Sequence, residues 1–481
     1  MKKSLICLLL VALMAFSLTS CFRSEINYDY DDFSEFIKLP EDAVGHKLDF
    51  DLISLQAAID SYLLKYATEY KIEPGDDIYV NFKLYEENVL VDEKTGKEYI
   101  VQAEEPSVTL ENHLVKNLGA GTICSAIEGL IIGKSIGDSA ARAEYKPKPD
   151  GTGATELSDF YLSEYKDKHV YIEIQPVNKV TKVGDVVSVS YKGYLLDKDG
   201  NKKKGDDGKE LDPFDKSDAS SYYLGSHLAI EDFENNLIGK LLNQEFSFNA
   251  TFPDDYETGD EKLDLKGQTV LFEVTIKSLY EAPIYDNAFV KTYFSNYTTT
   301  KELEEAIRKD YILATVYDYI LKNSEVLEYP SYEYKQHMAN LEKLEPEYYE
   351  NYKQTVDEYL QKQHGMTREE YVKSSMKGEL IYYSLSKQYN LIPTDAMLQN
   401  EKTNLLDYYK SYYMSYQGLD EATALTSANI FVEKLGPQYI YDNVMYTMVE
   451  EFLVSKAVVT DIPIPEDKIS ITATLNKPVT E

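Results

Sequence analysis

Gly184-Asp185-Val186-Val187-Ser188-Val189-Ser190-Tyr191 is the stretch on which the fold turns. A glycine opens it, an acid follows, and β-branched residues run into an aromatic, as in a strand leaving a tight turn. Earlier in the chain, Gly75-Asp76-Asp77-Ile78-Tyr79-Val80-Asn81-Phe82 has the same form. Working outward, Leu118-Gly119 lies as far before Gly133-Lys134 as Leu224-Gly225 lies before Gly239-Lys240. Within those windows Ile127-Glu128 falls opposite Phe233-Glu234, and Val170-Tyr171-Ile172-Glu173-Ile174 later matches Val270-Leu271-Phe272-Glu273-Val274. The same pieces in the same order mean two copies of one domain, at about 71–181 and 182–281.

Residues 185–195 and 269–276 alternate or run apolar with β-branched side chains and read as strands. Between them Ile230, Phe233 and Leu237 form one helical face that stops at Gly239. One short helix across an antiparallel sheet is an α+β domain. Residues 197–209, rich in Gly, Asp and Lys, read as a loop inserted in a hairpin. From about 282 the period becomes helical. Thr299 and Glu302 form a capping box, and Leu303, Ile307, Tyr311, Ala314, Tyr317 and Leu321 then share a face. Further helices are expected over about 332–362, 367–389, 394–416, 420–435 and 438–458, separated by Gly365, Pro393, Gly418 and Gly436-Pro437. The architecture is thus α+β: two tandem antiparallel-sheet domains, an all-α region over 282–460, and a Pro-rich tail at 461–481, expected to be extended or loose.

The first twenty residues read as an address. Lys2 and Lys3 precede a short apolar run over 5–16, too short for the roughly 20 residues of a spanning helix. Leu18-Thr19-Ser20-Cys21 closes it. Residues 21–70 are expected to hold a polar, acidic tether as far as about 50, then a helix marked by Leu52, Leu55, Ile59, Leu63 and Tyr66. The 481 residues carry a formal net charge of −34 with no offsetting basic stretch, so nucleic acid is not an expected partner. Of three cysteines, Cys7 lies in the leader and Cys21 ends it; Cys124 alone remains, with no partner for a disulfide. The histidines are scattered without metal-ligand spacing, and no phosphate-cradling glycine loop occurs, so no metal or cofactor is expected. Tyrosine reaches 43 while tryptophan is absent, which supplies rigid amphipathic contact area.

The second copy resembles the FKBP-type peptidyl-prolyl isomerase domain, most closely the one inside trigger factor. The residues that carry this are Val183-Gly184-Asp185, Val189-Ser190-Tyr191-Lys192-Gly193, Pro213-Phe214-Asp215 and Tyr223-Leu224-Gly225. Ile230-Glu231-Asp232-Phe233-Glu234, Leu237-Ile238-Gly239, Thr251-Phe252-Pro253-Asp254-Asp255-Tyr256, Leu265-Lys266-Gly267 and Phe272-Glu273-Val274 continue it. By this resemblance Tyr191, Phe214, Ile230, Phe233, Tyr256 and Phe272 line a proline pocket and Asp215 sits at its edge. Two departures stand out. Ser220 occupies a place that is usually aromatic, and the segment between Tyr191 and Phe214 is long. The first copy is FKBP-like but degenerate: Phe82 matches Tyr191, while Cys124, Ile127 and Ile172 replace Ile230, Phe233 and Phe272. It is expected to be a non-catalytic spacer or a peptide-binding surface.

The leader's ending resembles the lipobox of bacterial lipoproteins, which implies that Cys21 is lipidated and becomes the mature N-terminus. The helical region is similar in pattern to the chaperone arms of trigger factor. Together these resemblances imply a lipid-anchored, extracytoplasmic peptidyl-prolyl cis-trans isomerase and chaperone. Its partners would be unfolded or nascent secreted polypeptides with X-Pro bonds, and the membrane through the lipid. The competing reading is a non-catalytic holdase or adaptor that keeps the fold only to bind peptide.

Overall fold

The computed structural model describes residues 26–121, 125–146, 163–165, 168–256, 258 and 263–470. The leader, Cys21, Cys124 and residues 471–481 lie outside them. Backbone contacts divide the chain into two units, residues 53–303 with 464–481 and residues 2–52 with 304–463. Among the described residues no helix is long and apolar enough to cross a membrane.

The first unit holds both sheets. In strand Ile78–Val91 the side chains of Ile78, Val80, Phe82 and Leu84 are fully buried while Tyr79, Asn81 and Lys83 are half-buried, the two-residue period of a sheet with one face on a core. The first sheet runs Glu98–Gln102, Ile78–Val91, Val170–Lys179, Ala141–Tyr145, with Val108–Val115 also paired to Ile78–Val91. The second runs Asp215–Tyr223, Asp185–Leu195, Thr269–Glu281, Glu245–Thr251, and Thr68–Glu69 adds to its longest strand. All these pairings are antiparallel.

The internal repeat extends to individual hydrogen bonds. Gly75 N–H donates to Leu118 C=O at 2.8 Å, and Gly184 N–H donates to Leu224 C=O at 2.8 Å. Gly133 N–H reaches Ile72 C=O at 2.8 Å, as Gly239 N–H reaches Thr181 C=O. The Glu128 carboxylate accepts the Gly119 and Gly121 N–H groups, and the Glu234 carboxylate accepts those of Gly225 and His227. Each of these glutamates is buried because it satisfies backbone donors in a turn that would otherwise lack partners.

One lysine joins the copies. Lys179, fully buried, ends the last strand of the first copy. Its Nζ lies 2.5 Å from Asp185 and 3.5 Å from Asp76, the equivalent aspartates of the two Gly-Asp turns. Its ammonium also stands 4.1 Å over the Tyr70 ring, and Lys182 reaches Asp76 at 2.7 Å.

The second unit is helical: most of Thr300–Asn323, then Ser331–Tyr352, Val356–His364, Arg368–Gln388, Asp395–Gln417 and Glu421–Lys456. The expected helix over 332–362 is two helices, because Lys353 adopts a left-handed backbone and Thr355 with Glu358 starts afresh with a capping box. The expected pair 420–435 and 438–458 is found as two helices that part at Gly436, whose φ of 81° is non-helical. The expected tether is corrected. Ile26, Tyr28, Phe33, Phe36 and Ile37 are buried in the helical core with Val316, Ile320, Met376, Leu380, Met445 and Val449. Ile37–Lys38 pairs with Glu325–Val326, and Lys47–Asp51 lies parallel to Val458–Ile462. The acidic residues 29, 31, 32 and 35 face water while the apolar ones between them face in, so composition alone misread the segment. The tail is corrected in part too: the Ser470 N–H donates to the Gln56 carboxamide at 3.0 Å, and Ser470 is buried.

Candidate functional site

Tyr191 and Gly193 lie two positions apart on strand Asp185–Leu195 and therefore share a face. Across the ladder Val274 stands opposite Tyr191 and Phe272 opposite Gly193, while Phe248 stands opposite Phe272 on the other flank. Gly193 makes room for the rings. A Cβ there would lie 2.8 Å from Phe214 Cζ and 2.9 Å from Phe272 Cε1. A glycine inside a strand marks such a close approach.

Around it the aromatic side chains form one group. Phe233, on helix Glu231–Leu237, lies 4.8 Å from Phe272 and 5.7 Å from Tyr191, ring centre to ring centre, both edge-on. Phe214 lies 6.1 Å from Phe272 and 6.3 Å from Phe252, and Tyr256 lies 4.5 Å from Phe252. Ile230, at the helix N-cap, packs against the same core. Phe233 and Phe272 are buried; Tyr191, Phe214, Ile230 and Tyr256 are half-buried; Asp215 is exposed. The seven residues expected from the sequence thus come together, with a floor of two phenylalanines and a partly open rim.

The Tyr191 hydroxyl donates to Asp215 at 2.9 Å. Burial first, then Tyr222 and Asp215, push that hydroxyl far above the ordinary tyrosine range. Burial, then Asp215, raises Tyr256 as well. Both hydroxyls therefore stay protonated at neutral pH, and a protonated hydroxyl is a hydrogen-bond donor. The group offers no nucleophile beside a base. It can exclude water and present hydroxyl dipoles beside an apolar ring surface.

Gly193, Tyr222, Phe248 and Phe252 belong to the same group and were not singled out from sequence as pocket residues. Tyr222 lies 5.1 Å from Phe233 and couples to Tyr191. It stands two positions beyond Ser220 on the same strand, where the ladder is irregular between Ser217 and Ser220. Ser220 itself donates to Ser217 at 2.8 Å. The wall that Ser220 leaves without a ring is thus partly supplied from the next position on that face. The signal was a glycine within a strand pattern and an aromatic two residues after the serine. The long segment 196–213 folds back on itself: Leu196 bridges to Lys202, and Lys204 to Glu210. Lys202 reaches Glu273 at 2.7 Å and lies 3.6 Å over the Tyr194 ring, which ties the segment to the sheet.

Where the second copy has a glycine between aromatic rings, the first has a leucine among aliphatic side chains. Leu84 takes the register position of Gly193, opposite Ile172 as Gly193 is opposite Phe272. Leu84, Ile127 and Ile172 are buried and carry no ring. The remaining expected substitution, Cys124, lies outside the described residues.

No family model matches the chain. Curated relatives are trigger factors. That of Clostridium beijerinckii is 32% identical over 157 residues, which is 32% of this chain and 32% of the relative. That of Thermoanaerobacter sp. (strain X514) is 31% identical over 182 residues, 37% of this chain and 36% of the relative. That of Streptococcus agalactiae is 26% identical over 298 residues, 55% of this chain and 68% of the relative. The chain spans about a third of the length of the first two. Among solved structures, a trigger factor chaperone aligns to 57% of the chain and 62% of its own at 12% identity and TM-score 0.19. The three FKBP domains of wheat FKBP73 align to 50% of the chain and 93% of their own at 14% identity and TM-score 0.14. The sequence relatives support a trigger factor-like, FKBP-type fold of α+β class.

Proposed function

We propose that the second sheet domain catalyses cis-trans isomerisation of X-Pro bonds in unfolded polypeptides, and that the helical unit assists by holding them. Rotation about the peptide C–N bond passes through a twisted amide that has lost resonance, with a barrier of about 18–20 kcal/mol. The twisted amide is less polar than the planar one. A dry ring-lined surface therefore favours it over the ground state, which is catalysis by differential binding. Phe272 and Phe233 form the apolar floor, Tyr191 and Phe214 the walls, and the Tyr256 hydroxyl a donor at the rim. Asp215 orients the Tyr191 hydroxyl. The observation that carries this is the convergence of four rings, those of Tyr191, Phe214, Phe233 and Phe272, with Phe214 and Phe272 closing over Gly193, which has no side chain.

A protease-coupled assay on an X-Pro peptide tests it. Activity that Asp215→Ala lowers and Phe272→Ala abolishes supports the reading. A rate equal to that of buffer leaves the holdase reading, which the first copy's aliphatic side chains and Ser220 favour. The protein is also proposed to be a lipoprotein of the extracytoplasmic membrane face, anchored through Cys21, since two or more acyl chains anchor stably where one does not. Labelling with an alkynyl fatty acid that survives in Cys21→Ser would reject that anchor.

A further inference from the structure

Beyond Glu86 the strand Ile78–Val91 leaves its sheet. Its pairing with Val170–Lys179 ends at Glu86 opposite Val170, and among the described residues Glu87 to Val91 pair only with Glu98–Gln102, as a two-stranded ribbon. The ribbon is apolar on both faces. Val89 stands opposite Ile100 on one, and Leu90 opposite Tyr99 on the other. Val89, Leu90, Val91, Tyr99 and Ile100 are 46–63% exposed. An isolated two-stranded hairpin is marginal in water, and contiguous exposed apolar surface of this kind marks an interaction site.

The backbone points the same way. Ladder bonds close at Asp92 N–H to Lys97 C=O, 2.9 Å, and at Ala103 N–H to Glu86 C=O, 2.9 Å. The alternation of an antiparallel ladder then turns the N–H and C=O groups of Glu98, Ile100 and Gln102 outward along the ribbon's edge. Glu98–Gln102 is the terminal strand in the order of its sheet. Such an edge is a template for an added strand. The charge around it is mainly negative. Glu86, Glu87, Asp92, Glu93, Glu98, Glu104 and Glu105 lie within residues 86–105, against Lys94 and Lys97 alone.

We infer that this ribbon, on the copy that lacks the ring-lined site, is a docking edge for an extended polypeptide segment that alternates apolar and basic residues, bound as an added strand. The segment's apolar side chains pack beside Ile100 and extend the apolar face it shares with Val89, and its cations meet the flanking carboxylates. This gives the folding role proposed above a second attachment point for client chains, and rests on that role only for the source of the segment.

The test uses the full-length protein and a fluorescein-labelled twelve-residue peptide of alternating valine and lysine. Binding is expected in fluorescence anisotropy, to weaken at 0.5 M salt, and to fall at least tenfold in the Val89→Ser/Ile100→Ser variant. Both replaced residues are exposed, so the variant keeps its sheet, which circular dichroism verifies. The same peptide N-methylated at alternate residues should bind at least tenfold less well, since it cannot extend the ladder. A valine–glutamate peptide that binds as tightly, or a double-serine variant that binds unchanged, overturns the inference. So does sedimentation showing a dimer that the double-serine variant dissolves, because the occupant is then a second copy. So does tighter peptide binding after deletion of residues 147–162, because that segment is then the occupant. X-Pro turnover by the double-serine variant is expected to equal that of the parent. A parent without turnover whose ribbon still binds rejects the isomerase reading and leaves the docking edge standing.

Discussion

Replacing Lys179 by methionine removes the one cation that both Gly-Asp turns share, at nearly constant volume. Lys179 and Asp76 are fully buried and Asp185 is 4% exposed. The variant therefore leaves a carboxylate in the interior without its counterion, a change that typically costs about 3–5 kcal/mol. Lys182 still reaches Asp76, so the deficit falls mainly on Asp185. Burial already raises the pKa of Asp185 above the ordinary range, and Lys179 is the main influence pulling it down. Without Lys179 it climbs further. A group whose folded pKa is raised supports the fold below its unfolded pKa and loses that support as pH rises. The variant's penalty relative to the parent should thus be smallest in acid, where Asp185 is protonated in both, and grow by about 1.4 kcal/mol per pH unit between the parent's folded pKa and the higher one of the variant. Hydrogen exchange read by mass spectrometry on peptides covering 70–76 and 179–186 measures it at pH 5 and pH 8. Lys179→Met/Asp185→Asn should recover most of the loss at pH 8, since a neutral amide costs less to bury. Equal loss at both pH values, or a double variant no better than the single, refutes the reasoning.

Three further outcomes are expected. Gly193→Ala places a Cβ within 3.0 Å of two rings, so thermal melts should show a loss of about 1–3 kcal/mol and X-Pro turnover should fall more than tenfold. Tyr28→Phe removes the hydroxyl that donates to buried Glu379 at 2.7 Å, and faster amide exchange over 26–44 should report about 1–3 kcal/mol. Burial raises Glu234 above the ordinary carboxylate range, so its share of stability is present in acid and lost as pH rises. Glu234→Gln should therefore flatten the decline in stability from pH 4 to pH 7 in denaturation curves.

The repeat was legible because the sequence writes local backbone chemistry directly. A glycine at positive φ, an acid behind it, and a glutamate that collects two turn N–H groups leave the same letters in both copies. The helix starts at Thr299 and Thr367 were legible for the same reason, and both close capping boxes. The ring group was legible only through resemblance, since spacing cannot tell a pocket wall from a core residue. Tyr222 escaped because a ladder irregularity shifts which side chains face inward. The segment 26–50 escaped because neither a two-residue nor a helical period orders its apolar positions. Its partners are helices some three hundred residues away, and no local pattern encodes them.

That last arrangement sets an order of events in time. Tyr28 and Glu379 are 351 positions apart in sequence yet share a hydrogen bond. Ribosomes add about 5–20 residues per second, so Tyr28 waits roughly 20–70 s before Glu379 exists. The sheet-bearing stretch, almost continuous in sequence, matures within that interval. The helical unit closes last, around a segment made hundreds of residues before its partners.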